Sequence, residues 1–378
     1  MKLRAGLIGF GRMGITHFSI LNTHPSVQIV AVCDQSNTMM SVLSKYKSNI
    51  TTHFDYRKMI EATPLDFIVI ATATDSHSEI IKFALDRNLH IFVEKPFALT
   101  AADARGTLSC LNDRDLVNQV GYVNRFNEVF MEVKRLLTAG VIGEVKNFSS
   151  EIYSATVLKD SKESWRGKKK TGGGCMYEMA SHCIDLTVYL MGMPDKVAGS
   201  VVKSIYSSDV DDMVCSTFLY KNGLSGMITA NWSDEAYRKP ANIVKIFGTK
   251  GKIVADRHAY KVYLKESDPD NGFQQGWNIR YITEFARNVR FYLRGNEFTA
   301  QLDYFVDCIL RKQSENLSSF SEAMKTDILM EEISRDAADT NRMTNNYGIA
   351  QVRCESPEQK SFWAKIFNYF GGRRCLTE

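Results

Sequence analysis

Glu178 and His182 lie four residues apart in the run Gly172-Gly173-Gly174-Cys175-Met176-Tyr177-Glu178-Met179-Ala180-Ser181-His182-Cys183. On a helix that spacing puts a carboxylate and an imidazole on one face. Such a pair can move a hydroxyl proton near neutral pH, because a free imidazole titrates at about 6.5. The same spacing also describes a helix-surface pair or a buried structural histidine. The three glycines free the backbone to approach a ligand or to enter the helix abruptly. Zinc finds little here: beside His182 only Cys183 or Cys175 offer a ligand, and no second cluster exists, so no metal is expected. A second group, Glu94-Lys95-Pro96, closes the apolar run His90 to Val93. A lysine at a strand end can bind a hydroxyl and stabilise developing alkoxide charge, or it can be a surface lysine in a turn. Pro96 fixes that turn and permits a cis peptide.

These residues need a scaffold, and the N-terminus supplies one. Gly9-Phe10-Gly11-Arg12-Met13-Gly14 follows the apolar run Leu3 to Ile8 and precedes Ile15, Phe18, Ile20 and Leu21 at roughly helical spacing. A second apolar run, Val27 to Val32, ends in Cys33-Asp34, and Asp34 stands 20 residues past Gly14. Strand, glycine turn, helix, strand and acid in that order describe a dinucleotide site. The first glycine permits the tight turn, the second lets the backbone approach a pyrophosphate, and the third lets helix and strand pack closely. The helix N-terminus offers unpaired N–H groups to the phosphates. The alternative is a glycine-rich turn without a ligand. A carboxylate at Asp34 accepts from a ribose 2′-OH and repels a 2′-phosphate, and Gln35 and Ser36 bring no cation, so NAD is expected over NADP. Otherwise Asp34 is a turn residue. Arg12 faces either cofactor phosphate or solvent.

The first 120 or so residues alternate between strand and helix patterns. Strands are predicted at 3–9, 27–33, 66–71, 89–93 and 117–121, and helices between them, for example at 13–24, 77–87 and 100–111. That alternation predicts a doubly wound parallel sheet. The loop Ala71-Thr72-Ala73-Thr74-Asp75-Ser76-His77 leaves its apolar strand at the carboxyl edge, where ligands sit in such sheets. After a helix at 127–139 the pattern changes. Strand alternation at 145–153, 196–205, 213–220, 225–232, 242–247 and 261–264 predicts an antiparallel sheet, interrupted by a helix at 174–191 and followed by helices at 298–312 and 321–340. The boundaries are a dinucleotide-binding domain at 1–122, a substrate and oligomerisation domain at 123–345, and an extension at 346–378.

At 378 residues and 44% hydrophobic content the chain can bury a core in two or three domains. A net charge of +4 is too small to argue for nucleic acid, and Lys168-Lys169-Lys170 reads as a solvated loop. No apolar run approaches the ~20 residues that span a bilayer. Eight cysteines without a C-x-x-C pair, and a start without a signal peptide, predict free thiols in the cytoplasm. The cluster Phe362-Trp363-Ile366-Phe367-Tyr369-Phe370 predicts a short amphipathic helix that packs on the protein or a partner subunit rather than a membrane.

Taken in order, Gly9–Gly14, Ala71-Thr72…His77, Glu94-Lys95-Pro96, Asn124-Arg125-Phe126, Trp165-Arg166 and Gly172-Gly173-Gly174 leading to His182 resemble the glucose–fructose oxidoreductase / inositol dehydrogenase family (Gfo/Idh/MocA). The resemblance covers about residues 1–340. It implies an α/β protein: an N-terminal Rossmann domain plus a C-terminal α/β domain with a large, mostly antiparallel open sheet, which commonly forms a homo-oligomer interface (dimer or tetramer). It implies NAD-dependent hydride transfer with a sugar, polyol or nucleotide-sugar carbinol or ketone. By the same resemblance Lys95 is the active-site lysine and His182 the proton-transfer histidine. Glu178 stands where the family most often has Asp, which moves the carboxylate by about one bond length. Ala73 replaces a proline common in relatives. Gly9, Phe10, Gly11, Arg12, Met13, Gly14, Asp34, Ala71, Thr72, His77, Glu94 and Lys95 are the expected cofactor residues. Arg125, Tyr153, Trp165, Arg166 and Asn231 are candidate substrate residues. Arg125 and Arg166 either grip a carboxylate or phosphate bidentately or form structural ion pairs. Trp165 is either a platform for a sugar face or core. Two other readings share the fold: a non-catalytic NAD(H)-binding sensor, and a redox-neutral NAD-using glycosidase or isomerase.

Overall fold

The computed structural model describes residues 2–46, 49–111, 114–157 and 165–346. The expected amphipathic helix at 362–370 and nearly all of the extension lie outside that range. The N-terminal half runs β1 (Leu3–Ile8), α1 (Arg12–Asn22), β2 (Val27–Cys33), α2 (Asn37–Tyr46), β3 (Thr51–His53), α3 (Tyr56–Ala62), β4 (Phe67–Ile70), α4 (His77–Leu85), β5 (His90–Val93), α5 (Ala101–Ser109) and β6 (Asn118–Val120). The strands pair in parallel in the order β3-β2-β1-β4-β5-β6. Every residue of β4 is buried, because helices cover both faces of the sheet. The order reverses between β1 and β4, so the loops that leave these two strands lie side by side: the Ala71 N–H donates to the Ile8 carbonyl at 2.8 Å. Ligands bind at that reversal in open parallel sheets.

The second half runs α6 (Glu128–Thr138), β7 (Val145–Tyr153), α7 (Ser181–Met191), β8 (Lys196–Lys203), β9 (Met213–Leu219), β10 (Ser225–Asn231), β11 (Ala241–Gly248), β12 (Gly251–Ala255), β13 (Ala259–Leu264), β14 (Gly276–Tyr281), α8 (Asn296–Arg311) and α9 (Phe320–Asn346). Its sheet has the order β14-β13-β12-β11-β7-β10-β9-β8, antiparallel except where β10 meets β7. One face, with Phe148, Phe218, Ile228 and Val244, forms a core with α6 and α7. The other face exposes Met227, Phe247, Trp277, Ile279 and Tyr281.

Three strands escape the sequence pattern for identifiable reasons. β3 has three residues, and β12 sits directly behind the turn at Thr249-Lys250-Gly251. β14 is a short edge strand with no buried residue: its alternating Trp277, Ile279 and Tyr281 lie on the exposed face and mark no core. The helix expected at 174–191 opens with a π-helical turn over Met176–Ala180 before α7 begins, and the Ser181 N–H reaches back to the Met176 carbonyl. The C-terminal helices return to the first sheet. Phe305 of α8 packs edge-on against Phe67 and Phe92 at 5.5 and 5.8 Å, and Phe320 of α9 stacks on Phe97 at 4.5 Å.

Candidate active site

A cavity of about 1330 Å³ runs from the carboxyl edge of the parallel sheet to the inner end of the antiparallel one. Its first half is built by the glycine loop. Gly9 adopts φ +90, and a side chain there would meet the Ala71 carbonyl oxygen at 2.6 Å. A Cβ on Gly14 would come within 2.0 Å of the Gly9 carbonyl oxygen, so α1 can sit this close to the turn only with glycine. Gly11 differs: nothing lies within 4 Å of the space its side chain would fill, and that space opens on the cavity. Gly11 is also the N-cap of α1 and offers no side chain to the first-turn N–H groups. Unpaired N–H groups, a positive helix end and open space together fit a phosphate. Asp34 lines the same wall, with Oδ2 accepting from the Phe10 N–H at 2.5 Å and Oδ1 from the Ser36 N–H at 2.8 Å. Met13, Ala71 and Thr72 also face the cavity.

The second half joins the two chemical clusters. β5 delivers Glu94 and Lys95 to the cavity wall, with a cis peptide at Lys95-Pro96. The π-helical turn delivers Glu178, and α7 delivers His182. Such turns recur at functional sites. Lys95 Nζ donates to Glu178 Oε2 at 3.0 Å and to the Glu178 carbonyl at 2.9 Å, across 83 residues of sequence. Arg166 Nε donates to Glu178 Oε1 at 3.2 Å. Burial favours the neutral acid, but the Lys95 and Arg166 charges win and hold Glu178 down at about 2. Burial, with the Lys95 charge, holds His182 well below its ordinary value. Its imidazole is therefore neutral at pH 7, as a base must be. His182 Nδ1 is buried without a partner.

Other expected residues sit elsewhere. Arg125 is not in the cavity wall: it is buried, with its guanidinium on both oxygens of Asp185 at 2.8–3.1 Å and on the Leu317 carbonyl at 2.7 Å. Tyr153 faces the other side of β7 from cavity-lining Ile152, as a period of two requires. It stacks on Tyr237 at 5.0 Å and donates to Glu151. Asn231 is likewise off the wall, accepting from the Ser233 N–H and hydroxyl at 2.7 Å. His77 braces two loops from behind, with its ring nitrogens 3.1 Å from the Pro96 carbonyl and 3.3 Å from the Thr72 carbonyl. Phe10 turns its ring onto Phe18 at 5.4 Å. The Trp165 backbone lies in a short turn, and its side chain is outside the described set.

Several residues at the site were not among those expected from the sequence. His17 of α1 is buried and binds Glu94 Oε1 at 2.6 Å, which fixes that carboxylate. Asn124 and Asn242 line the cavity, and each buries an Oδ1 with no protein partner. Arg257 and Arg294 reach the wall from the turn between β12 and β13 and from the segment before α8. Asn124 stands in the Asn124-Arg125-Phe126 motif, and the other four stand at no spacing that marks them. Among the described residues no group of three or more His, Cys, Asp or Glu could hold a metal.

Residues 3–122 match the profile described as an oxidoreductase family with an NAD-binding Rossmann fold, and residues 130–254 match that of the Gfo/Idh/MocA C-terminal domain. The chain belongs to the Gfo/Idh/MocA oxidoreductase family. Residues 3–122 are the NAD-binding Rossmann domain of that family. Among curated Gfo/Idh/MocA relatives, inositol 2-dehydrogenase of Salmonella typhimurium is 28% identical over 195 residues, 50% of this chain and 55% of that protein. The chain thus aligns with about half the length of that enzyme. Myo-inositol 2-dehydrogenase of Thermotoga maritima is 26% identical over 306 residues, 76% of this chain and 88% of the relative. Among solved structures, levoglucosan dehydrogenase in complex with NADH superposes with a TM-score of 0.80 at 22% identity, covering 90% of this chain and 98% of that one. That likeness is one of fold.

Proposed function

We propose that this Gfo/Idh/MocA protein is an NAD(H)-dependent dehydrogenase or reductase of a small polyhydroxylated compound: a sugar, polyol or nucleotide sugar. The reading rests on one observation above all: Lys95, Glu178 and His182 meet in the cavity that the glycine loop opens onto. NAD supplies the hydride acceptor when bound. His182 takes the hydroxyl proton on Nε2, which makes no hydrogen bond among the described residues. Lys95 has three N–H donors, two of them committed to Glu178. The third is free to bind the reacting oxygen and stabilise its negative charge. Glu178 holds the ammonium in place and balances its charge. The unpartnered amide atoms of Asn124 and Asn242 suit hydroxyl groups, which donate and accept. Asp34, fixed by two backbone N–H groups, favours NAD over NADP by rejecting a 2′-phosphate.

The likeness to inositol and levoglucosan dehydrogenases supports a polyol or sugar substrate. The exposed apolar face of the second sheet suits a second copy of the chain, and the six described cysteines, all free thiols, suit a reducing cytoplasm. Among the described residues no helix is long and apolar enough to cross a membrane.

The test is NADH formation, followed at 340 nm, with a panel of inositols, sugars, sugar acids and nucleotide sugars. Turnover of at least one is expected. His182→Ala should lower kcat by about 10²- to 10⁴-fold and leave NAD binding unchanged. NADH bound without turnover of any alcohol would favour a sensor, and unchanged turnover in His182→Ala would remove the proposed base.

A further inference from the structure

We infer that Arg294, carried by the segment before α8, closes over the glycine loop and, together with Arg12, clamps the pyrophosphate of a bound dinucleotide. This rests on the cavity being the dinucleotide site, and adds a ligand from far outside the glycine motif.

Arg12 and Arg294 both line the cavity that Gly9 and Gly11 line. Among the described residues no ion pair engages either one, whereas Arg257 beside them pairs with Glu297. The contact of the Arg294 guanidinium within the protein is the Phe298 ring, 5.3 Å from its centroid. The two arginines are near enough to repel. Burial and then the Arg12 charge lower Arg294 from its usual value, and Arg294 in turn lowers Arg257. Three positive groups therefore act on one another in this region, where Glu297 pairs with Arg257 and Glu94 offsets the Arg12 charge on Arg294 only in part. A pyrophosphate carries the missing negative charge, and a planar guanidinium binds phosphate oxygens two at a time.

Arg294 is also held where the clamp requires it. Arg290 donates to the Ile20 carbonyl at 2.9 Å and to Thr23 Oγ1 at 2.5 Å, at the far end of α1 from Gly11. Phe291 and Leu293 pack on the core beneath the parallel sheet, and Thr299 Oγ1 donates to the Phe291 carbonyl at 2.5 Å. The strap thus fixes Arg294 relative to the helix whose N-terminus faces the phosphates. Arg294 itself has φ +66, a left-handed conformation that glycine adopts without strain, yet the position carries a long cation.

The test is titration of the full chain and of its Arg294→Gln and Arg294→Gly variants with NADH and with ADP-ribose, which keeps the pyrophosphate and lacks nicotinamide. Glycine suits the backbone at 294, so Arg294→Gly should keep the wild-type Tm and separate binding from folding. Both variants should bind both ligands about 10-fold or more weakly, the scale of one charge-assisted hydrogen bond. Their affinity should also depend less steeply on salt. Equal affinities in variant and wild type overturn the clamp. So does a loss for NADH but not ADP-ribose, which would put Arg294 at the nicotinamide, or a change in substrate KM alone. Wild-type protein that binds neither ligand overturns the dinucleotide reading itself, and the clamp with it.

Discussion

Arg125 shows how one residue type divides between chemistry and scaffolding. Its sequence setting allows a substrate ligand or an ion pair, and the structure places it with Asp185 in the interior, away from the cavity. Removing one partner of a buried pair leaves an uncompensated charge, which costs about 3–5 kcal/mol. Arg125→Met should therefore lower Tm markedly while any folded fraction keeps its NADH affinity, as thermal melts and titration would show. An intact Tm with lost substrate binding would return Arg125 to the site. His182 carries the pH dependence. Lys95 helps hold its pKa below the ordinary value, so the acidic limb of alcohol oxidation should lie well below pH 6.5. Lys95→Met removes that positive charge. The residual activity should then lose its base at a higher pH, moving the limb upward in the pH–rate profile. A limb that stays put would mean that another group titrates. Spacing singled out Lys95, Glu178 and His182 but left each open between chemistry and structure, and it was the family resemblance that assigned their roles. Asn242, His17 and Arg294 had no such signal, because an orphaned amide or a cation brought in from afar leaves no local pattern, and Asn124 showed only as part of the Asn124-Arg125-Phe126 motif.

At the scale of elements, the glycine loop divides its labour among three positions, and the structure separates them. A Cβ on Gly14 collides with backbone, so Gly14→Ala should destabilise the fold and abolish NADH binding together. A Cβ on Gly11 meets open space, so Gly11→Ala should keep the wild-type Tm and lose NADH affinity, because the methyl projects where phosphate must approach. Tm values and binding constants for the two variants check this. Equal effects on both measures would mean that the loop is only structural. The strand–helix alternation of the first half was readable because buried parallel strands are continuously apolar. The π-helical turn before α7 was not, since a helix that gains one residue per turn keeps nearly the same apolar spacing. Edge strand β14 escaped for another reason: its period of two, Trp277, Ile279 and Tyr281, lies on the exposed face of a short strand and marks no core. Tyr153 and Asn231 illustrate the same limit, for choosing the face of a strand that meets a ligand needs the register as well as the alternation.

At the scale of the whole molecule, the fold serves the site by returning on itself. The π-helical turn and α7, packed on the second sheet, supply Glu178 and His182, the end of β5 in the first sheet supplies Lys95, and the segment that carries Arg294 leads into α8, which packs back on the first sheet. The outer face of the second sheet, with Met227, Phe247, Trp277 and Tyr281 exposed, is expected to bury itself against a second copy. Light scattering after gel filtration should show a dimer or larger, and Phe247→Asp with Trp277→Asp should shift it to monomer without unfolding. A monomeric wild-type protein would contradict that. The measurement that bears most directly on the central claim is a crystal structure of the protein with NADH and a substrate found in the turnover screen. The nicotinamide should lie in the cavity, with one substrate oxygen about 2.6–3.2 Å from both Lys95 Nζ and His182 Nε2. A ring bound away from those two side chains, with no substrate oxygen in reach of either, would contradict the account.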